Sequence, residues 1–89
     1  MPARRFLILG KVQGVFFRAH AKAKADALGI TGWVENCPDT SVLIHAEGSE
    51  EALKQFQKWC KKGPPAAQVE SVASKHAEEK GMQSFEILH

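Results

Sequence analysis

The apolar residues of the chain fall into short runs whose spacing alternates between strand-like and helix-like. Residues Arg5 to Lys11 form a β-favouring run in which hydrophobic side chains adjoin one another, a pattern typical of a central strand covered on both faces. Further on, Ala21, Ala25 and Leu28 recur at helical spacing, and Gly29 follows as a stop signal. The first third therefore predicts a strand followed by an amphipathic helix.

Two more β-like runs follow, residues Ile30 to Asn36 and Ser41 to Glu47. The Cys-Pro-Asp-Thr segment between them contains the residues that favour a tight turn, so we expect a hairpin. In the second run apolar residues alternate with a mixed set. One face should therefore be buried, and the face with His45 and Glu47 should be at least partly exposed to solvent.

A second helix is predicted after this hairpin. Ser49 is a typical N-cap, and the two glutamates that follow it suit the positive end of a helix dipole. Its end is set by Gly63, Pro64 and Pro65. The predicted buried stripe consists of Ala52, Leu53, Phe56, Trp59 and Cys60.

The last two predicted strands are residues Val69 to His76 and Gln83 to Leu88, joined by a Glu-Glu-Lys-Gly turn. The order is β-α-β-β-α-β with a short extra strand. This order predicts an α+β, ferredoxin-like split-βαβ sandwich. Two helices should pack on one face of a largely antiparallel sheet of four to five strands.

Size and composition limit the choice of function. With 89 residues, 44% hydrophobic and 25% charged, the chain predicts one globular domain over residues 1–89, with a monomer as the default state. The net charge is +2, and the basic residues are interspersed with acidic ones instead of forming a basic block. This distribution mildly favours anionic ligands and hardly favours nucleic acid. The two cysteines form no C-x-x-C pair, and no signal peptide or membrane-length apolar run is present. We therefore expect a cytoplasmic protein.

The most informative segment is the loop G-K-V-Q-G-V-F-F-R, where the first strand ends and the first helix begins. Gly14 permits backbone angles that other residues adopt at a cost, so successive amides can converge near the helix N-terminus and bind an anion. These amides belong to Gln13, Gly14, Val15, Phe16, Phe17 and Arg18. The Arg18 guanidinium adds a fork of donors that matches a phosphoryl group, and one phenylalanine ring would shield the site.

From the residues alone, a plain strand-to-helix connection with an exposed arginine is the simpler interpretation, because the loop lacks the G-x-x-x-x-G-K-[ST] nucleotide motif. Likewise, Asn36 at the end of the G-W-V-E-N run is by itself a hairpin asparagine that bonds its own turn.

The two segments together resemble a known family. G-K-V-Q-G-V-F-F-R is similar to the acylphosphatase signature G-x-V-Q-G-V-x-F-R at every fixed position, and G-W-V-E-N resembles the second signature, G-W-V-x-N. The resemblance extends over essentially the whole chain. It implies a ferredoxin-like fold and the hydrolysis of acyl phosphates to carboxylate and phosphate without a metal or another cofactor. It also implies that Arg18 binds the phosphate and that Asn36 orients the attacking water.

Two alternatives remain at this stage. A non-catalytic, regulatory domain would hold phosphate or sulfate in the same loop, although the presence of both Arg18 and Asn36 argues against it. An RNA-binding domain would use the same architecture, but the strands R-F-L-I-L-G and S-V-L-I-H-A-E-G lack the aromatic pattern of such domains.

Other chemically active residues are assigned no role. His20 is interpreted as a solvated helix histidine, and the remaining histidines share no spacing that suggests a metal. Glu35, at the variable position of the second signature, should point away from Asn36 because neighbouring strand residues face opposite sides. Thr40 stands where many relatives have glycine, which predicts a different turn geometry at the hairpin tip.

Overall fold

The computed structural model describes residues 1–89 and contains five strands and two helices. Their bounds are β1 Ala3–Lys11, α1 Phe17–Leu28, β2 Thr31–Asn36, β3 Val42–Glu47, α2 Glu50–Lys62, β4 Gln68–His76 and β5 Phe85–Leu88. The predicted fold class is confirmed, and the predicted elements differ from the observed ones only at their ends.

The five strands form one sheet in the order β4-β1-β3-β2-β5. Neighbouring strands are antiparallel except for β2 and β5, which are parallel. The register places Phe6 of β1 and Val34 of β2 on either side of Ile44 in β3. These three side chains are fully buried, because both helices cover this face of the sheet.

The helices begin and end where the sequence predicts. The backbone amide of Gly29 closes α1 by donating to the carbonyl of Asp26, and Gly29 has a positive φ of 72°. The Ser49 hydroxyl accepts a hydrogen bond of 3.1 Å from the Ala52 amide at the start of α2. The ring of Phe56 in α2 packs against the ring of Phe6, with 6.0 Å between the two ring centroids. Neither helix combines the length and the hydropathy of a membrane-spanning segment.

The outer face of the sheet, which is the face turned away from the two helices, differs from the predicted one in two respects. First, β1 is covered on one side only, since Phe6 and Ile8 are buried under the helices while Leu9, facing the other way, is 42% exposed. The prediction of a strand covered on both faces is wrong, because both helices pack on the same side of the sheet. A run of consecutive hydrophobic residues does not distinguish a strand covered on one face from a strand covered on both, because single hydrophobic residues are common on protein surfaces.

Second, the β3 residues expected to be partly exposed, His45 and Glu47, are both buried. The Trp33 ring stacks on the His45 ring at a centroid distance of 4.4 Å, and His45 Nε2 lies 2.7 Å from a Glu47 carboxylate oxygen. Arg5 Nε donates to His45 Nδ1 at 3.3 Å. Side chains of neighbouring strands therefore cover this part of the outer face, which the alternation within one strand does not reveal.

The connection between β4 and β5 also spans a greater distance than the tight turn that the sequence predicts. These strands occupy opposite edges of the sheet, so residues 77–84 cross the ends of the three strands between them. The Glu47 carboxylate holds this crossing segment by accepting hydrogen bonds from the Lys80 amide at 2.7 Å and the Met82 amide at 3.3 Å. The buried Glu47 carboxylate thus fixes the path of the chain into β5.

Both cysteines are free thiols. Cys60 is fully buried in the core, and burial raises its pKa far above the ordinary value for a thiol. Cys37 is half-buried in the β2–β3 hairpin. Neither residue is part of a disulfide.

Candidate active site

The loop between β1 and α1 has the backbone geometry of an anion nest. Gly14 and Phe16 have positive φ angles of 73° and 64°, and Val15 between them does not. Such an alternation of left-handed and right-handed residues turns successive N–H groups toward one side of the chain. None of the eleven backbone hydrogen bonds outside the helices and strands uses an amide of residues 14–18 as donor. These amides therefore donate to no backbone acceptor within the chain.

The two helix N-termini differ in a way that bears on charge. At the start of α2, Ser49 caps the helix and Glu50 and Glu51 lie in the first turn. At the start of α1, the N-cap residue Phe16 makes no side-chain capping bond, and no acid lies in the first turn. The positive end of the α1 dipole is therefore not compensated within the chain, which favours an external anion there.

Arg18 lies in the first turn of α1 and is partly exposed. Its Nη1 atom donates to the Leu88 carbonyl at 3.0 Å and lies 3.4 Å from His89 Nδ1. The end of β5 thus holds the guanidinium beside the loop, while its other N–H groups remain available to a ligand.

Gln13 connects the loop to the β2–β3 hairpin. Its Nε2 atom donates to the carbonyls of Cys37 and Ser41, each at 2.8 Å. Cys37 directly follows Asn36, so these two bonds place the end of β2 beside the loop. This side-chain role of Gln13 is additional to the backbone role predicted from the sequence.

The hairpin tip retains a left-handed residue despite the absence of glycine. Thr40 has a φ of 74°, and its amide donates to the Cys37 carbonyl at 3.2 Å. The Ser41 hydroxyl and then the Ser41 amide lower the pKa of Asp39 below its ordinary value by hydrogen bonding to its carboxylate. The expectation that threonine would change the turn away from glycine geometry is wrong. The hydrogen bonds of the turn outweigh the local preference of a β-branched residue.

A cavity of about 290 Å³ lies where the loop, the hairpin and β5 meet. Its polar or backbone-lined part consists of Gly14, Arg18, Asn36 and His89. Its hydrophobic part consists of Val12, Phe16, Phe17, Ala19 and Ile87. Of the residues predicted from the sequence, Gly14, Phe16, Phe17, Arg18 and Asn36 line this cavity. Gln13 and Val15 do not line it; Gln13 bonds the hairpin and Val15 is buried.

Four of the lining residues were not predicted: Val12, Ala19, Ile87 and His89. Ile87 reaches the cavity because β5 pairs in parallel with β2, in a register that sets Ile87 opposite Val34. A pairing of strands so distant in sequence leaves no local pattern. Val12 and Ala19, by contrast, directly precede and follow the predicted segment from Gln13 to Arg18. Their position in the sequence could therefore have identified them.

Packing against β3 explains several residues of the second motif, G-W-V-E-N. A Cβ atom on Gly32 would lie 1.8 Å from the His45 carbonyl oxygen, so only glycine fits there. Trp33 covers His45, and its Nε1 atom donates to a Glu35 carboxylate oxygen at 2.8 Å. The prediction that Glu35 points away from Asn36 is confirmed, since Asn36 lines the cavity and Glu35 does not.

Other titratable residues do not form a candidate metal site. His20 is exposed, as predicted, and its Nδ1 atom lies 2.9 Å from the Phe16 carbonyl oxygen. No three His, Cys, Asp or Glu side chains lie close enough together to hold a metal ion.

The fold is that of the ferredoxin-like α+β sandwiches, with a cavity that joins a cation, an amide side chain and a helix N-terminus. The Acylphosphatase family model matches residues 4–87. An acylphosphatase of Synechococcus is 47% identical over 89 residues, covering 98% of this chain and 76% of the relative. One of Thermus thermophilus is 45% identical over 87 residues, covering 98% and 99%. The crystal structure of acylphosphatase from Bacillus subtilis superposes with a TM-score of 0.97 at 36% identity, over 100% of both chains.

The chain belongs to the acylphosphatase family and is an enzyme, a hydrolase. The non-catalytic alternative is thereby set aside.

Proposed function

We propose that the enzyme hydrolyses the carboxyl-phosphate bond of acyl phosphates without a metal ion. In this proposal the backbone amides from Gln13 to Arg18 and the Arg18 guanidinium hold the phosphoryl group, and Asn36 orients the attacking water. The observation that carries the proposal is the cavity itself, in which the uncapped start of α1, Arg18 and Asn36 meet.

Phosphate binding is supported by the supply of donors. The amides of residues 14–18 donate to no backbone acceptor. Arg18 donates to the Leu88 carbonyl through Nη1 only, so its other N–H groups are available to a ligand. A phosphoryl group has three peripheral oxygens that require donors as charge shifts toward them. Donors held in place before the reaction stabilise that charge without reorganising, which is the larger part of such catalysis. Inorganic phosphate and sulfate should bind at the same place.

The chemistry needs little more than positioning. A water molecule that donates a hydrogen bond to the Asn36 side-chain oxygen attacks phosphorus, through its own oxygen, opposite the acyl oxygen. The bond from phosphorus to the acyl oxygen breaks, and its electron pair leaves with the carboxylate. A proton of the water passes to a phosphoryl oxygen, so that the products are a carboxylate and inorganic phosphate. Because the carboxylate is a good leaving group, no general acid, metal or covalent nucleophile is required.

The test is the hydrolysis of benzoyl phosphate by the purified protein in the presence of EDTA, beside Arg18→Ala and Asn36→Ala variants. Loss of one preorganised group lowers turnover on the order of 100 to 1000-fold. We expect kcat to fall by this factor in Asn36→Ala, and kcat to fall while KM rises in Arg18→Ala. Thermal unfolding of both variants shows whether the fold is intact. Folded variants with wild-type activity would contradict the assigned roles, and an inactive, folded wild type would contradict the proposed function.

The proposal also covers the setting in which the enzyme works. We infer that residues 1–89 form one catalytic domain that acts as a monomer in the cytoplasm, without nucleic-acid or membrane partners. In such a reducing compartment the two free thiols would stay reduced. Size-exclusion chromatography with light scattering checks the state, for which the monomer mass is 9.8 kDa.

A further inference from the structure

The cavity contains more apolar surface than a phosphoryl group needs. Five of its nine lining residues are hydrophobic, and its volume is about 290 Å³. Phosphoryl oxygens need N–H donors and a cation, which Arg18 and the loop amides supply. Side chains such as Phe16 and Ile87 offer nothing to those oxygens. They suit the other end of the substrate.

Phe16 is the most unusual of these residues. The residue is 74% exposed, although its side chain is large and apolar. Its backbone has a φ of 64°, a strained conformation for a bulky residue that persists only where the surroundings enforce it. The Phe16 carbonyl is bonded by the His20 amide at 3.1 Å and lies 2.9 Å from His20 Nδ1. These contacts at the start of α1 fix the backbone of Phe16.

The neighbouring phenylalanine shows that exposure is particular to Phe16. Phe17 is 1% exposed and packs against Trp59 with a centroid distance of 5.2 Å, so it serves the core. Phe16 lines the cavity yet buries little of its ring within the chain. A ring held by a strained backbone at the mouth of a cavity has apolar surface available to a ligand there.

We propose that Phe16 is a specificity-determining residue that packs against the acyl group of the substrate, and that the enzyme favours acyl phosphates with an apolar, aromatic or branched acyl group. This inference rests on the proposed function, because it places the phosphoryl group at Arg18. With the phosphoryl group there, the acyl group extends along the apolar part of the cavity. There it contacts Phe16, Ala19 and Ile87, which line that part of the cavity. Contact with the ring removes apolar area of both partners from water.

The kinetic test compares benzoyl phosphate with acetyl phosphate, which share the phosphoryl group and differ in the acyl group. The variants are Phe16→Asn, which tolerates a positive φ but lacks the ring, and Phe16→Tyr, which retains the ring. We expect the ratio of kcat/KM for benzoyl over acetyl phosphate to fall about tenfold in Phe16→Asn, as for a lost hydrophobic contact. Phe16→Tyr should retain the wild-type ratio. Leu9→Asn removes an exposed apolar side chain outside the cavity and should leave the ratio unchanged.

A binding measurement separates this inference from the proposed function. Phenacylphosphonate and acetonylphosphonate carry a methylene in place of the bridging oxygen and cannot be hydrolysed in the same way. By calorimetry, wild type should bind the phenacyl compound about tenfold more tightly, and Phe16→Asn should lose this preference. An unchanged preference in a folded Phe16→Asn variant would overturn the role of Phe16. Failure of wild type to hydrolyse either acyl phosphate would contradict the proposed function instead, and the binding preference would still decide the inference.

Discussion

The Gln13 side chain donates a hydrogen bond of 2.8 Å to the Cys37 carbonyl, and this bond joins the two halves of the site. A second bond of the same length runs from Gln13 to the Ser41 carbonyl, on the other side of the hairpin tip. The loop that precedes Arg18 and the strand end that carries Asn36 are therefore held together by one amide group. We therefore expect Gln13 to act as a positioning residue through this contact.

Substitution of Gln13 by alanine should lower turnover more than it weakens phosphate binding. The variant leaves two carbonyls without a donor and lets the loop and hairpin separate, and a displacement near 1 Å can cost about 100-fold in rate. We expect kcat to fall on the order of 10 to 100-fold, while the Kd for inorganic phosphate changes less than threefold or so. Steady-state kinetics and calorimetry measure the two quantities.

The matched control is Gln55→Ala, which removes an exposed glutamine whose bond, to Glu51 at 3.3 Å, lies within α2. It should leave kcat unchanged. If Gln13→Ala kept wild-type turnover, or lost phosphate affinity in proportion to turnover, the positioning role would be wrong.

Glu47 links pH to stability on the outer face of the sheet. Burial by itself would raise the pKa of Glu47. Hydrogen bonds from His45 and from the Lys80 and Met82 amides outweigh that effect and lower the pKa below its ordinary value of 4.5. A carboxylate whose pKa is lower in the folded state contributes stability that is fully present above its unfolded pKa. That stability is lost as the pH falls through the folded pKa.

We therefore expect Glu47→Gln to reduce the free energy of unfolding at pH 7 by roughly 1.5–3 kcal/mol, the usual range for hydrogen bonds to a charged group. The difference between wild type and variant should shrink as the pH is lowered below about 4.5, where the carboxylate becomes protonated. Urea unfolding at a series of pH values measures both. A difference that stays constant down to pH 3 would show that the charge of Glu47 is not what stabilises the fold.

Replacement of Thr40 by glycine should stabilise the hairpin. Thr40 is exposed and has a φ of 74°, which costs a residue with a side chain about 1–2 kcal/mol. Glycine removes this strain but loses about 0.5–1 kcal/mol in additional unfolded-state entropy, so we expect a net gain of roughly 0.5–1 kcal/mol. Chemical denaturation of Thr40→Gly beside Thr40→Ala is the measurement. Glycine being no more stable than alanine would contradict the strain argument.

The sequence predicted the elements whose signals are local. The Ser49 cap, the Gly29 stop and the buried stripe around Phe56 each depend on residues within a few positions of one another, and each is observed. The same holds for the ferredoxin-like fold, which follows from the order of the elements.

Features that depend on distant pairing were not predictable in this way. Whether His45 is exposed is decided by Trp33 and Arg5 on neighbouring strands, and the covering of β1 is decided by which side both helices pack on. The cavity wall at Ile87 arises from the parallel pairing of β5 with β2. Thr40 shows the opposite effect, in which the turn's hydrogen bonds override a clear local preference.

The most direct test of the central claim is hydrolysis of benzoyl phosphate in water enriched in oxygen-18. If the loop amides and Arg18 hold the phosphoryl group and Asn36 directs water at phosphorus, the labelled oxygen should enter inorganic phosphate and none should enter benzoate. Mass spectrometry of both products after partial turnover, corrected for the uncatalysed reaction, gives the answer. Label in benzoate would mean that water attacks the carbonyl carbon, and the proposed arrangement of substrate in the cavity would be wrong.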